Sequence, residues 1–250
     1  MQSLVFFESI AMEHKTGCTV CGKSLAYTVI EESFICYCCG NEFTAQVQCE
    51  NGHFVCDSCH QSNANDYIYS YCLNTKHTDP VLIVNEIMHH STVKMHGPEH
   101  HFLVPAALLA SYYNLQSDFV AKEKSVKIAR ERAEKVPGGF CGLHGACGAG
   151  IGTGIFISII TGSTPLAAEE WKLSNLMTAR SLDIIARSGG PRCCKRDTFI
   201  AIRSAAEFLE ELLRVVLPIN PDIICHFVEH NKECLKENCA FYQSSSDLDK

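Results

Sequence analysis

Cys18-Thr-Val-Cys21, Cys36-Tyr-Cys38-Cys39 and Cys49-Glu-Asn-Gly-His53-Phe-Val-Cys56-Asp-Ser-Cys59-His60 follow one another near the start of the chain. Two residues separate Cys18 from Cys21, Cys36 from Cys39 and Cys56 from Cys59. Such a gap lets one tight turn offer two thiolates to a tetrahedral ion. Cys18, Cys21, Cys36 and Cys39 make one complete zinc ligand set, and Cys49, His53, Cys56 and Cys59 make a second. An interleaved pairing of the same residues satisfies the spacing equally. Cys38 and His60 are surplus to either count. The runs Leu25–Ile30, Ser33–Ile35 and Phe43–Val47 are rich in β-branched and aromatic residues, and turn signals at Gly22, Gly40-Asn41 and Asn51-Gly52 separate them. So short a segment has little core of its own. A small β module of zinc-ribbon or treble-clef type, held by metal, is the expectation for residues 1–75.

Downstream the pattern turns helical. Asp79-Pro80 is a helix start, with Asp as cap and Pro in the first turn. Gly97-Pro98 opens another helix running towards Tyr113, with Pro105 as a candidate kink. Ala121–Val136 is a charged helix stopped by Pro137-Gly138-Gly139. Ser174–Arg187 is a capped amphipathic helix, and Asp197 is the expected cap of a helix over Phe199–Leu217. The fold class is therefore α+β, mainly α: a zinc module, a helical domain over 76–242, and a polar tail over 243–250 expected to be disordered.

The chain has 250 residues, 16 cysteines and a net charge of −7. The acidic balance argues against general nucleic-acid binding, and between residues 18 and 75 the one basic residue is Lys23. A structural or protein-contact role suits the zinc module better. The first residues lack the basic start of a signal peptide, and Ile155–Ile160 is too short to cross a bilayer. A cytoplasmic setting follows as the expectation. Thiols stay reduced there, so ligand or catalytic roles outrank disulfides.

Four further segments carry chemistry. His96-Gly97-Pro98-Glu99-His100-His101 brings three imidazoles and a carboxylate to one helix N-terminus, which favours the neutral imidazole that a base or a ligand needs. His96, Glu99 and His100, with His144 further on, are the acid/base candidates; the alternative for the first segment is a polar helix start. His89-His90 reads as the end of a helix. Cys141, His144 and Cys147 stand at equal gaps able to grip one metal. The glycines that follow, Gly148 to Gly154, read as a tightly packed small-residue helix, because no strand leads into them as a dinucleotide loop requires. Cys193-Cys194 lie between Arg192 and Lys195-Arg196 at a helix start. These cations and the helix end should depress the thiol pKa values and make a nucleophile, while Arg192, Lys195 and Arg196 bind an anionic substrate. Cys225, Cys234 and Cys239 are spaced too loosely for zinc. They suit an iron–sulfur cluster, either completed by a fourth cysteine from Cys193-Cys194 or Cys141/Cys147, or held by the three alone with one iron open to substrate.

His-Gly-Pro-Glu-His-His, the glycine-rich run to Leu166 and Gly-Gly-Pro-Arg-Cys-Cys-Lys-Arg together resemble an uncharacterised cysteine-rich domain family of anaerobic bacteria and archaea. Its members are sometimes joined to a methyltransferase domain. The resemblance implies an oxygen-sensitive cluster and no particular reaction. This chain carries no S-adenosylmethionine loop. The expectation is an iron–sulfur-dependent enzyme of sulfur-transfer, desulfuration or lyase type, acting on a small anionic or sulfur-containing substrate. The alternatives are a redox or metal sensor, a protein that delivers metal or cluster and, last, a zinc-dependent nucleic-acid module.

Overall fold

A computed structural model describes residues 18, 20, 21, 23, 25–56 and 64–243. Cys59, His60, the first residues of the chain and the tail from residue 244 lie outside the described residues. The protein is mainly helical, with one antiparallel strand pair near its N-terminus.

The strand runs fuse into one hairpin. β1 (Leu25–Ile35) joins Leu25–Ile30 to Ser33–Ile35, and β2 (Glu42–Cys49) pairs with it. A register shift between Tyr27 and Glu32 absorbs the extra residues as a bulge. The turn at Gly40 uses φ +70, a conformation glycine adopts without strain. Register decides which cysteines meet. Leu25 pairs with Cys49 at the open end, beside Cys18 and Cys21. Ile35 pairs with Glu42 at the closed end, so Cys36 and Cys39 lie at the opposite end of the hairpin. The chain then returns through a bridge of Phe54 with Cys36, which delivers Cys56 to that closed end.

The helical body follows as α1 (Ala64–Asn74), α2 (Pro80–His89), α3 (Glu99–Gln116), α4 (Phe119–Ala133), α5 (Phe140–Leu143), α6 (Gly148–Thr161), α7 (Glu169–Arg187) and α8 (Cys194–Phe208). Asp79 caps α2 as the sequence indicates, its side chain accepting from Val81 N at 2.7 Å. Two other starts differ. α7 begins at Glu169 rather than Ser174, and Ser174 lies inside it, donating to Glu170 O. α8 begins at Cys194, and its cap is Cys193, whose sulfur accepts from Arg196 N at 3.5 Å; Asp197 lies in the first turn. The regular helix stops at Phe208 and continues as a π turn, Leu209–Leu213.

α3 is buried over most of its length, from Phe102 through Ala110. Its apolar residues surround the axis rather than forming a stripe, the pattern of a central helix. α6 reaches it closely because its glycines alternate between two neighbours. Gly148 and Gly152, one turn apart, face α3: a Cβ on Gly148 would overlap the His101 ring, and one on Gly152 would stand 2.8 Å from Pro105 Cδ. Gly150 and Gly154 face α7, against Leu182 and Thr178. The hairpin docks through Cys38, whose sulfur lies 3.4 Å from His90 Nε2, with Tyr67 of α1 stacked on the His90 ring at 3.7 Å. Among the described residues no helix is long and apolar enough to cross a membrane.

Candidate metal centres and a thiol-lined cavity

The hairpin register produces the interleaved pairing. Cys18, Cys21, Cys49 and His53 form one group and Cys36, Cys39 and Cys56 another, each with its ligand atoms within 4.8 Å of one another. Each group could hold a metal ion. In the first, Cys21 Sγ lies 3.7 Å from Cys49 Sγ, and His53 Nδ1 lies 3.5 Å from Cys49 Sγ and 3.9 Å from Cys18 Sγ. A tetrahedral ion with bonds of about 2.3 Å to sulfur sets its ligands about 3.8 Å apart, so these edges are of the right length. In the second group Cys39 and Cys56 sulfurs are 4.0 Å apart. Burial would raise the Cys36 thiol, but backbone N–H groups of Cys56, Cys39 and Cys38 outweigh it and draw the pKa down to about 7. The two sets first read along the sequence, Cys18/Cys21 with Cys36/Cys39 and Cys49/His53 with Cys56, thus give way to the crossed arrangement.

In the helical body the tandem at the start of α8 divides between two cavities. Cys193 faces the C-terminal loop. It lines a small apolar cavity of about 20 Å³ together with Cys225, Cys234 and Cys239, walled by Met95, Phe227 and Phe241. Burial pushes the Cys225 thiol up to about 11, and Cys193, Cys239 and Cys234 add to the shift, so the four sulfurs feel one another. They are more loosely set than the N-terminal groups, which are the described ones tight enough for a single ion. Cys193 Sγ accepts from Arg196 N and from Asn231 Nδ2, each at 3.5 Å, and Cys234 Sγ accepts from Lys236 N at 3.4 Å. N–H groups directed at sulfur stabilise thiolate ligands.

Cys194 faces the other way. It lines a cavity of about 200 Å³ with His96, His100, His101, Cys141, Cys147, Arg192 and Asp197. Helix starts supply most of these groups: α3 gives His100 and His101, α6 places Cys147, and α8 gives Cys194 and Asp197. Cys147 Sγ donates to Asp197 Oδ2 at 3.7 Å, and Asp197 Oδ1 pairs with Arg196 Nε at 3.1 Å. Burial raises the Asp197 carboxyl against the pull of Arg196. Burial also pushes Cys147 up to about 12 and Cys194 up to about 11, and it raises Cys193. The sequence argument for lowered Cys193 and Cys194 values therefore fails. Desolvation of a buried thiolate outweighs the cationic neighbours and the helix end.

The expected acid/base residues separate. His100 is buried, with Nε2–H donating to Lys94 O at 3.2 Å and Nδ1 accepting from the Thr198 hydroxyl at 3.0 Å. Both nitrogens are engaged, so it pins the start of α3. Burial holds its pKa well below the usual value, which is a stronger cause than the helix end. Glu99 turns back to accept from Lys94 N at 2.7 Å and does not line the thiol cavity. His96 does line it, while its Nε2 reaches Asn231 and Glu233 at 3.3 and 3.5 Å. His144 is exposed and stacks on Phe140, so it does not join Cys141 and Cys147 around one ion. Lys195 is 1% exposed and donates to Met88 O and Val93 O; it lines neither cavity and is a structural lysine, not an anion ligand.

His101 is the residue the sequence reading passed over. Its Nδ1–H donates to Val136 O at 3.0 Å, which leaves the Nε2 lone pair as its unspent nitrogen in the residue lining the cavity. Burial lowers its pKa and keeps the ring neutral. A carbonyl behind one imidazole nitrogen is the usual device for fixing the tautomer of a ligand or base. The signal was present in Gly148, the glycine that leaves room for the ring.

A family model described as a family of unknown function (DUF5714) matches residues 68–242. No curated protein and no solved structure matches the chain.

Proposed function

Since the chain belongs to that family, which assigns no reaction, we propose a function from its own side chains: a thiolate metalloenzyme in which a zinc-braced module supports an iron–sulfur centre beside a reaction cavity. Cys18, Cys21, Cys49 and His53 would hold one structural zinc, and Cys36, Cys39 and Cys56 would hold a second. Their edge lengths and the depressed Cys36 support this. Cys193, Cys225, Cys234 and Cys239 would hold the cluster. The donor set is all sulfur, the walls are apolar, N–H groups point at two of the sulfurs, and the spacing exceeds that of a single-ion group. With each iron held by a thiolate, such a cluster would supply electrons.

One observation carries the reading: adjacent residues Cys193 and Cys194 serve different cavities, so the four-cysteine centre and the His/Cys cavity share a wall one residue thick. In the cavity Cys194 is the nucleophile or sulfur carrier. His101 Nε2 takes or returns its proton, Asp197 orients Cys147, and His96 closes the side towards the C-terminal loop. Sulfur transfer, desulfuration or a lyase reaction uses this set. A reducing, cytoplasmic setting keeps the thiols available.

The test is metal and acid-labile sulfide analysis after purification without oxygen, on wild type, Cys193→Ser and Cys194→Ser. The expected result is zinc, iron and sulfide in wild type. Iron and sulfide, but not zinc, should be lost in Cys193→Ser, and all three retained in Cys194→Ser. Zinc alone in wild type, or full iron in Cys193→Ser, would overturn the reading.

A further inference from the structure

The cavity holding Cys194 does not end at Asp197. A second hollow of about 430 Å³ shares Cys141, Cys147, Arg192 and Asp197 with it and extends along α7 over Leu182, Ile185 and Ala186. The two adjoin at these residues and have different ends. In the second hollow stand two guanidinium groups, Arg192 and Arg196, against one carboxylate, Asp197. The lining is thus net positive in a protein of net charge −7. Arg192 is exposed at the rim and Arg196 is 5% exposed. Arg196 spends Nε on Asp197 and Nη2 on Gly189 O and Pro191 O, while its buried Nη1 has no partner in the protein. A buried guanidinium N–H without an acceptor costs free energy that a bound anion would recover. The far end offers hydrocarbon and no charge.

We infer that the second hollow binds a small carboxylate with a short apolar chain. The carboxylate sits on Arg192 and reaches the unpartnered Nη1 of Arg196, the chain lies over Leu182 and Ala186, and the carbons next to the head group face Cys147, beside the Cys194 cavity. This deepens the reading above by giving its cavity a substrate class. It needs the cavity and not the cluster, so the two can fail separately. A substrate that is only anionic would leave the α7 end empty, and one that is only apolar would leave the guanidinium unpaired.

Binding of hexanoate, acetate and hexan-1-ol to the full chain of measured metal content tests it by calorimetry. Hexanoate should bind about tenfold or more tightly than either comparator, since each lacks one half of the recognition. Arg192→Ala, at an exposed position, should weaken hexanoate about fivefold. Ala186→Glu, also exposed, sets a carboxylate at the apolar end and should abolish binding without unfolding the protein, as its circular dichroism would show. Equal binding of hexanoate and hexan-1-ol would overturn the anionic half, equal binding of hexanoate and acetate the apolar half, and no binding at all the proposal. Metal content read on the same samples tells this failure from failure of the cluster.

Discussion

Gly148→Ala tests whether the fold of α6 and the geometry of the cavity are one construction. The new Cβ would overlap Cδ2, Nε2 and Cγ of His101. The ring cannot yield cheaply, because its Nδ1–H is committed to Val136 O at 3.0 Å. Forcing a methyl into such a contact costs about 1–3 kcal/mol. Losing the hydrogen bond as the ring swings away adds about 1 kcal/mol. The gain from replacing glycine by alanine in a helix is at most about 1 kcal/mol, and less at the first helical position, where Gly148 sits. The net expectation is a loss of about 1–3 kcal/mol. Urea unfolding at fixed metal content measures it. The displaced ring also loses the burial that lowers its pKa, so its value should rise towards 6.5, read by NMR titration. Gly148→Ala/His101→Ala removes the overlap, and the double-mutant cycle should return a coupling of about 1 kcal/mol or more. A neutral or stabilised Gly148→Ala with an unchanged His101 titration would refute the contact, and with it the account of how His101 is held at the cavity.

Three other outcomes follow from the same geometry. Cys49→Ser removes a candidate ligand shared by the edges to Cys21 and His53; atomic absorption should show loss of one metal equivalent, and unchanged metal content would exclude Cys49 as a ligand. Burial holds His100 and His101 below 6.5, so their neutral burial contributes stability that is fully present above about pH 6.5 and is lost as pH falls through their folded values. Unfolding free energy at fixed metal content should decline from pH 6.5 towards 5, less steeply in His101→Gln, and a flat profile would contradict it. Lys195→Met leaves Met88 O and Val93 O without their buried donor and should cost about 1–3 kcal/mol in thermal unfolding with hexanoate binding intact. Unchanged stability with lost binding would return Lys195 to the cavity.

The sequence made the ligand types legible and left their grouping open, and the reason is register. Gaps of two residues mark Cys18/Cys21 and Cys36/Cys39 as turns that offer thiolates. Which turn meets which depends on the pairing of Leu25 with Cys49, a property of two strands together that no local spacing encodes. Helix starts were legible where chemistry is local, as at Asp79-Pro80. They were misplaced where a less usual cap intervened, as with the Cys193 sulfur ahead of Asp197. The alternating glycines of α6 were rightly read as packing, because no strand precedes them. Thiol reactivity was misjudged for a tertiary reason. Arg192, Lys195 and Arg196 are neighbours in sequence, but Lys195 spends its charge on carbonyls, Arg196 spends part of its own on Asp197, and burial decides the thiols.

That last point changes what the cavity can be in its resting state. A thiol pushed up to about 11 by burial rests protonated in its cavity. It resists oxidation and alkylation until a positive charge or a proton acceptor joins it. Relative to an ordinary cysteine at 9.0, the Cys194 thiolate is ~100 times scarcer at neutral pH, and its greater intrinsic nucleophilicity restores about tenfold. Iodoacetamide should therefore modify Cys194 about tenfold more slowly in the folded than in the unfolded protein, before any shielding by the cavity walls. The peptide carrying Cys194, followed by mass spectrometry at pH 7.5, gives the ratio. Equal rates would mean that burial does not raise the Cys194 thiol above an ordinary cysteine, the cationic neighbours offsetting it. A slow folded rate would leave the proton to a base, the role proposed above for His101, which lines the same cavity. In that case His101→Gln should abolish turnover and leave the slow alkylation rate where it was.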